Sequence, residues 1–317
     1  MAGVPPSLAR RLPRLPFPFS SPTVPDGVET LPSRPRSGPD YDTAWSRRMP
    51  ARVARVALVE GLARPAVAAL ARPERHGLDR LAQLADAGGS VIFAANHHSH
   101  LDTPLLVTSI PEPWRHELFV VAAADYFFRT PATSALSALA LGAIPMERTK
   151  VGRRSADQAA ALLDDGWSML IFPEGGRSPD GWGQPFRGGA AYLALRCGVP
   201  VVPVHIEGTG RILRKGRKLP SPASTRLTFG TPLQPTPDED SRRFAARLER
   251  TVAALADEAT TDWWSARRRA HAGAVGPASA GVVPACARRR ACHQSVVASS
   301  ASSATACSMR TARRRES

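Results

Sequence analysis

No stretch of this 317-residue chain reaches the ~18 consecutive apolar residues of a membrane-spanning helix, so none is expected. The opening segment has Arg10 and Arg11, but the residues after them are broken by prolines, which makes a poor secretory signal. Cysteine is scarce. Of four cysteines, Cys286, Cys292 and Cys307 lie near the C-terminal end, and only Cys197 lies in the patterned region. No disulfide framework or zinc spacing results, and a reducing compartment is the default. Acidic charge is almost missing from Ala266 to Ser317, where ten arginines face Glu316 alone and supply +9 of the net +15. Aromatic residues are absent after Trp264 as well, so this basic tail offers no platform for bases, which argues against nucleic acid as a partner. The remaining excess of basic charge suits an anionic surface or a phosphorylated substrate.

What is present falls into three parts. Residues 1–40 are crowded with Pro, Ser and Arg and show no apolar periodicity, which predicts a disordered leader. Residues 265–317 are Ala, Ser and Arg without helix or strand period, which predicts a disordered tail. Residues 41–264 have the size and pattern of one domain. Within it, the segment 51–70 carries apolar residues at helical spacing, interrupted at Pro65. This amphipathic helix either packs on the domain or lies on a membrane. In the second case Val53, Val56, Ala57 and Val67 enter the acyl boundary while Arg52, Arg55 and Arg64 meet anionic head groups.

From Gly77 onward short apolar runs alternate with amphipathic stretches. SVIFAAN, ELFVVAAA, GAIPME, SMLIFPE, VPVVPVHIE and RLTFGTPL read as strands, several of them apolar on both faces. Helices are predicted over Ser134 to Leu141, Arg153 to Asp165, Gly188 to Cys197 and Asp240 to Ala259. This alternation predicts an α/β fold, a largely parallel sheet flanked by helices.

The densest chemistry is Asn96-His97-His98-Ser99-His100-Leu101-Asp102, directly after the strand VIFAA. Ligands of parallel α/β sheets gather beyond the carboxyl ends of strands. His97 and Asp102 stand five positions apart. If a helix begins near Ser99, acting as its cap, Asp102 can fold back towards the imidazole and fix its tautomer. Such a base needs no serine or cysteine nucleophile, because it can activate a substrate hydroxyl. Further on, Glu174-Gly175-Gly176-Arg177-Ser178 gathers flexible amides, a guanidinium and a hydroxyl, a set suited to a phosphate monoester.

NHHSHLD resembles the first motif, NHxSxxD, of the glycerolipid acyltransferase superfamily, which includes 1-acylglycerol-3-phosphate acyltransferases. GAIPMER (Gly142 to Arg148), FPEGGRS (Phe172 to Ser178) and VPVVPV (Val199 to Val204) are similar to its second, third and fourth motifs, in the same order. The resemblance implies a glycerolipid acyltransferase-like fold, His97 as catalytic base and Asp102 as its orienting acid. It implies Glu174, Gly175, Arg177 and Ser178 as acceptor binding, with Arg148 adding to the phosphate site. The donor would be acyl-CoA or acyl carrier protein, the acceptor a lysophosphatidic-acid-like alcohol, and no metal or redox cofactor is implied. An anionic membrane surface is the natural partner, with the protein cytoplasmic and peripheral to the inner face. Gly176 departs from the motif, which commonly has threonine there, and this bears on acceptor identity.

Two rival readings remain at this point. His98-Ser99-His100-Leu101-Asp102 resembles the start of H-x-H-x-D-H in metal-dependent hydrolases of the metallo-β-lactamase type. Thr103 stands where the final histidine belongs, and further ligands would have to come from His116 and His205. The other rival is an inactive lipid-binding protein on the acyltransferase fold, against which the intact His97 and Asp102 pair argues.

Overall fold

The structure, a computed structural model, describes residues 35–147, 153–177, 184–212, 219–236 and 238–261. Residues 1–34 of the leader, the tail from 262 onward, and two expected site residues, Arg148 and Ser178, lie outside the described residues.

Among the described residues seven strands form one sheet: β1 Pro73–His76, β2 Ile92–Ala95, β3 Leu118–Ala123, β4 Ile144–Met146, β5 Ser168–Ile171, β6 Val201–Glu207 and β7 Thr225–Phe229. The helices are α1 Met49–Leu58, α2 Arg64–Ala71, α3 Ala82–Ala87, α4 Asp102–Ser109, α5 Ala124–Phe127, α6 Pro131–Leu141, α7 Arg153–Asp164, α8 Gly189–Cys197, α9 Thr209–Ile212 and α10 Ser241–Thr260. The sheet order is β1-β7-β6-β2-β5-β3-β4, and every neighbouring pair is parallel except β6 and β7.

Successive strand residues point to opposite faces, and both faces are covered. Ile92, Ala94, Met169 and Ile171 enter one core with Leu163 of α7, Ala190 of α8 and Phe244 of α10. Phe93, Ala95, Leu170 and Val202 enter the other, with Val67 of α2 and Leu105 and Leu106 of α4. That is why the strands are continuous apolar runs. Each fully buried Val, Leu, Ile, Met or Phe among them contributes about 1.5–3 kcal/mol, which makes the register of the central strands hard to slip.

All six expected strands form. β1 is not among them, because Pro-Glu-Arg-His carries no apolar alternation and its last three residues are exposed. Among the described residues it is an edge strand, paired to β7 alone, with proline at its first position where no ladder N–H is needed.

The N-terminal helix departs from expectation in two respects. It is not broken at Pro65. The chain widens into a π turn over Val59–Ala63, one turn ahead of the proline, and resumes as α2 with Pro65 in its first turn. Arg55, expected among head groups, is instead buried. Its guanidinium donates to the carbonyls of Ser46 (2.7 Å), Ala138 (3.1 Å) and Leu139 (2.8 Å). The last two belong to the C-terminal turn of α6, where carbonyls lack helical partners. Burial, with Arg47 and Arg52 nearby, lowers the Arg55 pKa to about 10, which leaves it charged at neutral pH. Val67 is likewise buried, whereas Met49, Val53, Val56 and Leu62 are exposed.

Candidate functional site

Three neighbouring parallel strands, β2, β5 and β3, end side by side, and the segments leaving their carboxyl ends enclose a cavity of about 300 Å³. After β2 come His97, His98 and His100; after β3, Tyr126 and Phe127; after β5, Phe172, Gly175, Gly176 and Arg177. A second, smaller cavity of about 110 Å³ adjoins it, sharing Ala123, Phe172 and Gly175. Its remaining lining is largely apolar, from Val121, Met146, Ile171 and Ala190.

Asp102 opens α4 and is fully buried. Its Oδ2 accepts from His97 Nδ1 at 2.9 Å and from the backbone N–H groups of His98 (2.7 Å) and Ser99 (2.8 Å). Asp102 thus reaches back as the spacing predicts, but Ser99 is not the helix cap. The residue preceding the helix is Leu101, which makes no side-chain cap bond, and Ser99 Oγ accepts from the Leu101 N–H at 3.2 Å. With Nδ1–H donated to a carboxylate, Nε2 is the basic nitrogen of His97. The ring is further held by stacking on Phe172, with centroids 4.1 Å apart and planes at 20°. Asn96 clamps the strand end from behind, exchanging bonds of 2.7 and 2.9 Å with the backbone of Ile206 on β6.

Glu174 ties the two loops together. One carboxylate oxygen accepts from the His97 N–H (3.0 Å) and the other from the Gln184 N–H (3.3 Å). Burial pushes its pKa up to about 7, against the pull of those two donors, with Asp102 and Glu249 adding to the rise. The next residue, Gly175, has a φ of +74°, and a Cβ there would lie 2.8 Å from the Arg187 guanidinium, so only glycine fits without a shift.

The acyltransferase family model matches residues 72–207. Over residues 72–207 the chain is thus similar to acyltransferases. The chain is 33% identical over 128 residues to the chloroplastic 1-acyl-sn-glycerol-3-phosphate acyltransferase BAT2 of Brassica napus, covering 39% of this chain and 35% of that one. It is 25% identical over 178 residues to the alpha enzyme of that name from Mus musculus, covering 54% and 60%. The chain spans 35%, 38% and 46% of three of its curated relatives. The fold is shared with the crystal structure of PlsC, the 1-acyl-sn-glycerophosphate acyltransferase of Thermotoga maritima, at a TM-score of 0.55 and 24% identity, covering 69% of this chain and 86% of that chain.

Of the expected site residues, His97, Gly175 and Arg177 line one cavity, while Asp102 and Glu174 are buried behind it and do not line it. The three histidines do not converge. His97 faces Asp102, His100 stacks on Tyr126, and both ring nitrogens of His98 are buried without a hydrogen-bond partner among the described residues. Nor do three or more His, Cys, Asp or Glu side chains gather as a metal site among the described residues. Sequence reasoning missed Tyr126, Phe127 and Arg187. The first two could have been found, since Asp125-Tyr126-Phe127-Phe128 comes after the carboxyl end of a parallel strand just as the histidines do. Arg187 lies nine residues beyond the FPEGGRS segment and reaches Gly175 only through the fold.

Proposed function

We propose that this protein transfers a fatty acyl group from an acyl thioester, acyl-CoA or acyl carrier protein, to the hydroxyl of a lysophosphatidic-acid-like acceptor. The observation that carries the reading is His97, held by Asp102 at 2.9 Å and lining a cavity that Arg177 also lines. His97 Nε2 takes the acceptor's hydroxyl proton as the oxygen attacks the thioester carbonyl. The tetrahedral intermediate collapses, the C–S bond breaks, and the thiolate sulfur receives that proton, giving an ester and a free thiol. Asp102 stabilises the imidazolium between the two transfers. Arg177, with Arg148 and Ser178, holds the phosphate, and Glu174 and Gly175 shape the turn that presents it. The apolar cavity beside Phe172 takes the first carbons of the acyl chain.

Long-chain acceptor and product both reside in bilayers, and no described helix is long and apolar enough to cross one. The protein therefore docks peripherally, on the inner face of a cytoplasmic membrane. The docking face is Val53, Val56 and Leu62, exposed by 60%, 36% and 63%, flanked by Arg52 and Arg64. The working domain is residues 41–264, and neither a metal nor nucleic acid takes part. An acyl-transfer assay over a panel of lyso-acceptors, read by mass spectrometry, tests the reading. His97→Ala should abolish ester formation at an unchanged melting temperature, with His98→Ala milder. Full activity in His97→Ala, or activity that tracks added zinc, would overturn it.

A further inference from the structure

His100 belongs to none of the motif positions, yet it is built into the cavity wall. Its ring stacks on Tyr126, centroids 5.2 Å apart and planes at 19°, and the Tyr126 hydroxyl lies 3.4 Å from Nε2. Tyr126 is in turn braced edge-on by Phe127, at 5.0 Å and 76°. An imidazole stacked on a tyrosine that is itself braced by a second ring is a positioned group, not a loop side chain in solvent. It shares the cavity with Arg177. The charged and titratable groups it faces are Arg177 from the turn after β5, Tyr126 from α5, and His97 and Asp102 from its own segment. The one carboxylate among them is already bound to His97 and two backbone N–H groups.

We propose that His100, positioned by Tyr126, is a specificity-determining residue that donates a hydrogen bond, as imidazolium, to the phosphate monoester paired with Arg177, so that the site prefers a doubly charged phosphate to a phosphodiester. The proposal rests on the reading that this cavity takes a phosphorylated acceptor. Without ligand, burial, Arg177 and His97 hold the His100 pKa below its ordinary value, and Asp102 opposes them only in part. A dianion placed between His100 and Arg177 reverses the sign of the local field, and His100 takes up a proton as the acceptor binds. A phosphodiester brings one charge instead of two and a bulky substituent in place of one acceptor oxygen, so it recruits that proton poorly. Loss of a hydrogen bond to a charged group costs tenfold or more in binding, on the order of 1.5–3 kcal/mol.

The test compares the full chain with His100→Gln and Tyr126→Leu. Short-chain 1-acylglycerol 3-phosphate is titrated calorimetrically, without donor, in two buffers of different ionisation enthalpy at pH 7.5. The native chain should take up more protons per bound acceptor than His100→Gln, the ionisation of the phosphate itself being common to both. In turnover, His100→Gln should raise KM for the monoester about tenfold with kcat nearly unchanged, and leave KM for a lysophosphodiester unaltered. Tyr126→Leu should reproduce part of the rise while keeping the imidazole. A phosphate monoester also occurs in coenzyme A, so a rise in donor KM with unchanged acceptor KM would overturn the assignment. Equal proton uptake by both chains, a fall in kcat without a change in KM, or no binding of the monoester by the native chain would do the same. If no acceptor is acylated yet the monoester binds with proton uptake that His100→Gln loses, the activity reading fails and this one stands.

Discussion

Replacing Asp102 by asparagine changes one atom and removes one charge. The carboxylate uses a single oxygen, Oδ2, for its three donors, while Oδ1 is buried with no partner among the described residues. Asparagine can therefore keep its carbonyl oxygen on all three and set its amide group where Oδ1 stood. The backbone of the NHHSH turn stays in place. What disappears is the attraction between the carboxylate and the imidazolium formed during transfer. At a charge separation of ~4 Å and an effective dielectric constant of about 20, that attraction is about 4 kcal/mol. Since Asp102 is fully buried, solvent does not screen it. Asp102→Asn should thus lower kcat by roughly two to three orders of magnitude. Its stability loss should be confined to one unpartnered amide, on the order of 1–3 kcal/mol. Asp102→Ala leaves the two backbone N–H groups and His97 Nδ1 without an acceptor, so its loss of stability should be two to three times larger, read as a lower melting temperature. The assay is steady-state acyl transfer beside thermal unfolding of both variants. An Asp102→Asn enzyme within about tenfold of the native rate would show that the charge is not used. Equal destabilisation by Asn and Ala would show that the three-donor arrangement is wrong.

Three further outcomes concern other parts of the molecule. A Cβ at Gly176 would meet nothing within 4 Å, so Gly176→Thr should fold at an unchanged melting temperature and alter KM for the acceptor, whereas a drop of several degrees would refute the open space. His205 is wholly buried with both ring nitrogens unpartnered among the described residues, and burial, aided by His98, lowers its pKa from 6.5 to about 3. The unfolded chain then binds a proton that the native one refuses, so stability is full above about pH 6.5 and falls as pH drops towards 3, by at most about 1.4 kcal/mol per unit. His205→Phe should flatten that slope in denaturant titrations, and an unaltered slope would refute the assignment. At the N-terminal helix, Val53→Glu with Leu62→Glu should weaken binding to anionic vesicles and spare turnover of a water-soluble acceptor, whereas Arg55→Glu should unfold the protein. Intact vesicle binding in the double variant would place docking elsewhere.

The sequence by itself determined six of the seven described strands, the fold class and the pairing of His97 with Asp102. Each of these depends on near neighbours: strands buried on both faces must be continuously apolar, and five residues of turn suffice to bring an aspartate back to an imidazole. The spacing also placed Arg177 and Gly175 in a strand-end turn. Tertiary structure decided everything that depends on a partner far along the chain. Arg55 reads as one more arginine on a polar helix face until the end of α6, 83 and 84 residues away, offers its unpaired carbonyls. Glu174 reads as an acceptor ligand until His97, 77 residues earlier, presents its N–H, and His100 is one of three histidines until Tyr126, 26 residues on, stacks against it. β1, too polar to be read as a strand, exists because the exposed edge of β7 needs a partner for its backbone groups. A local pattern records which face of an element is buried, and only the folded chain determines what that face meets.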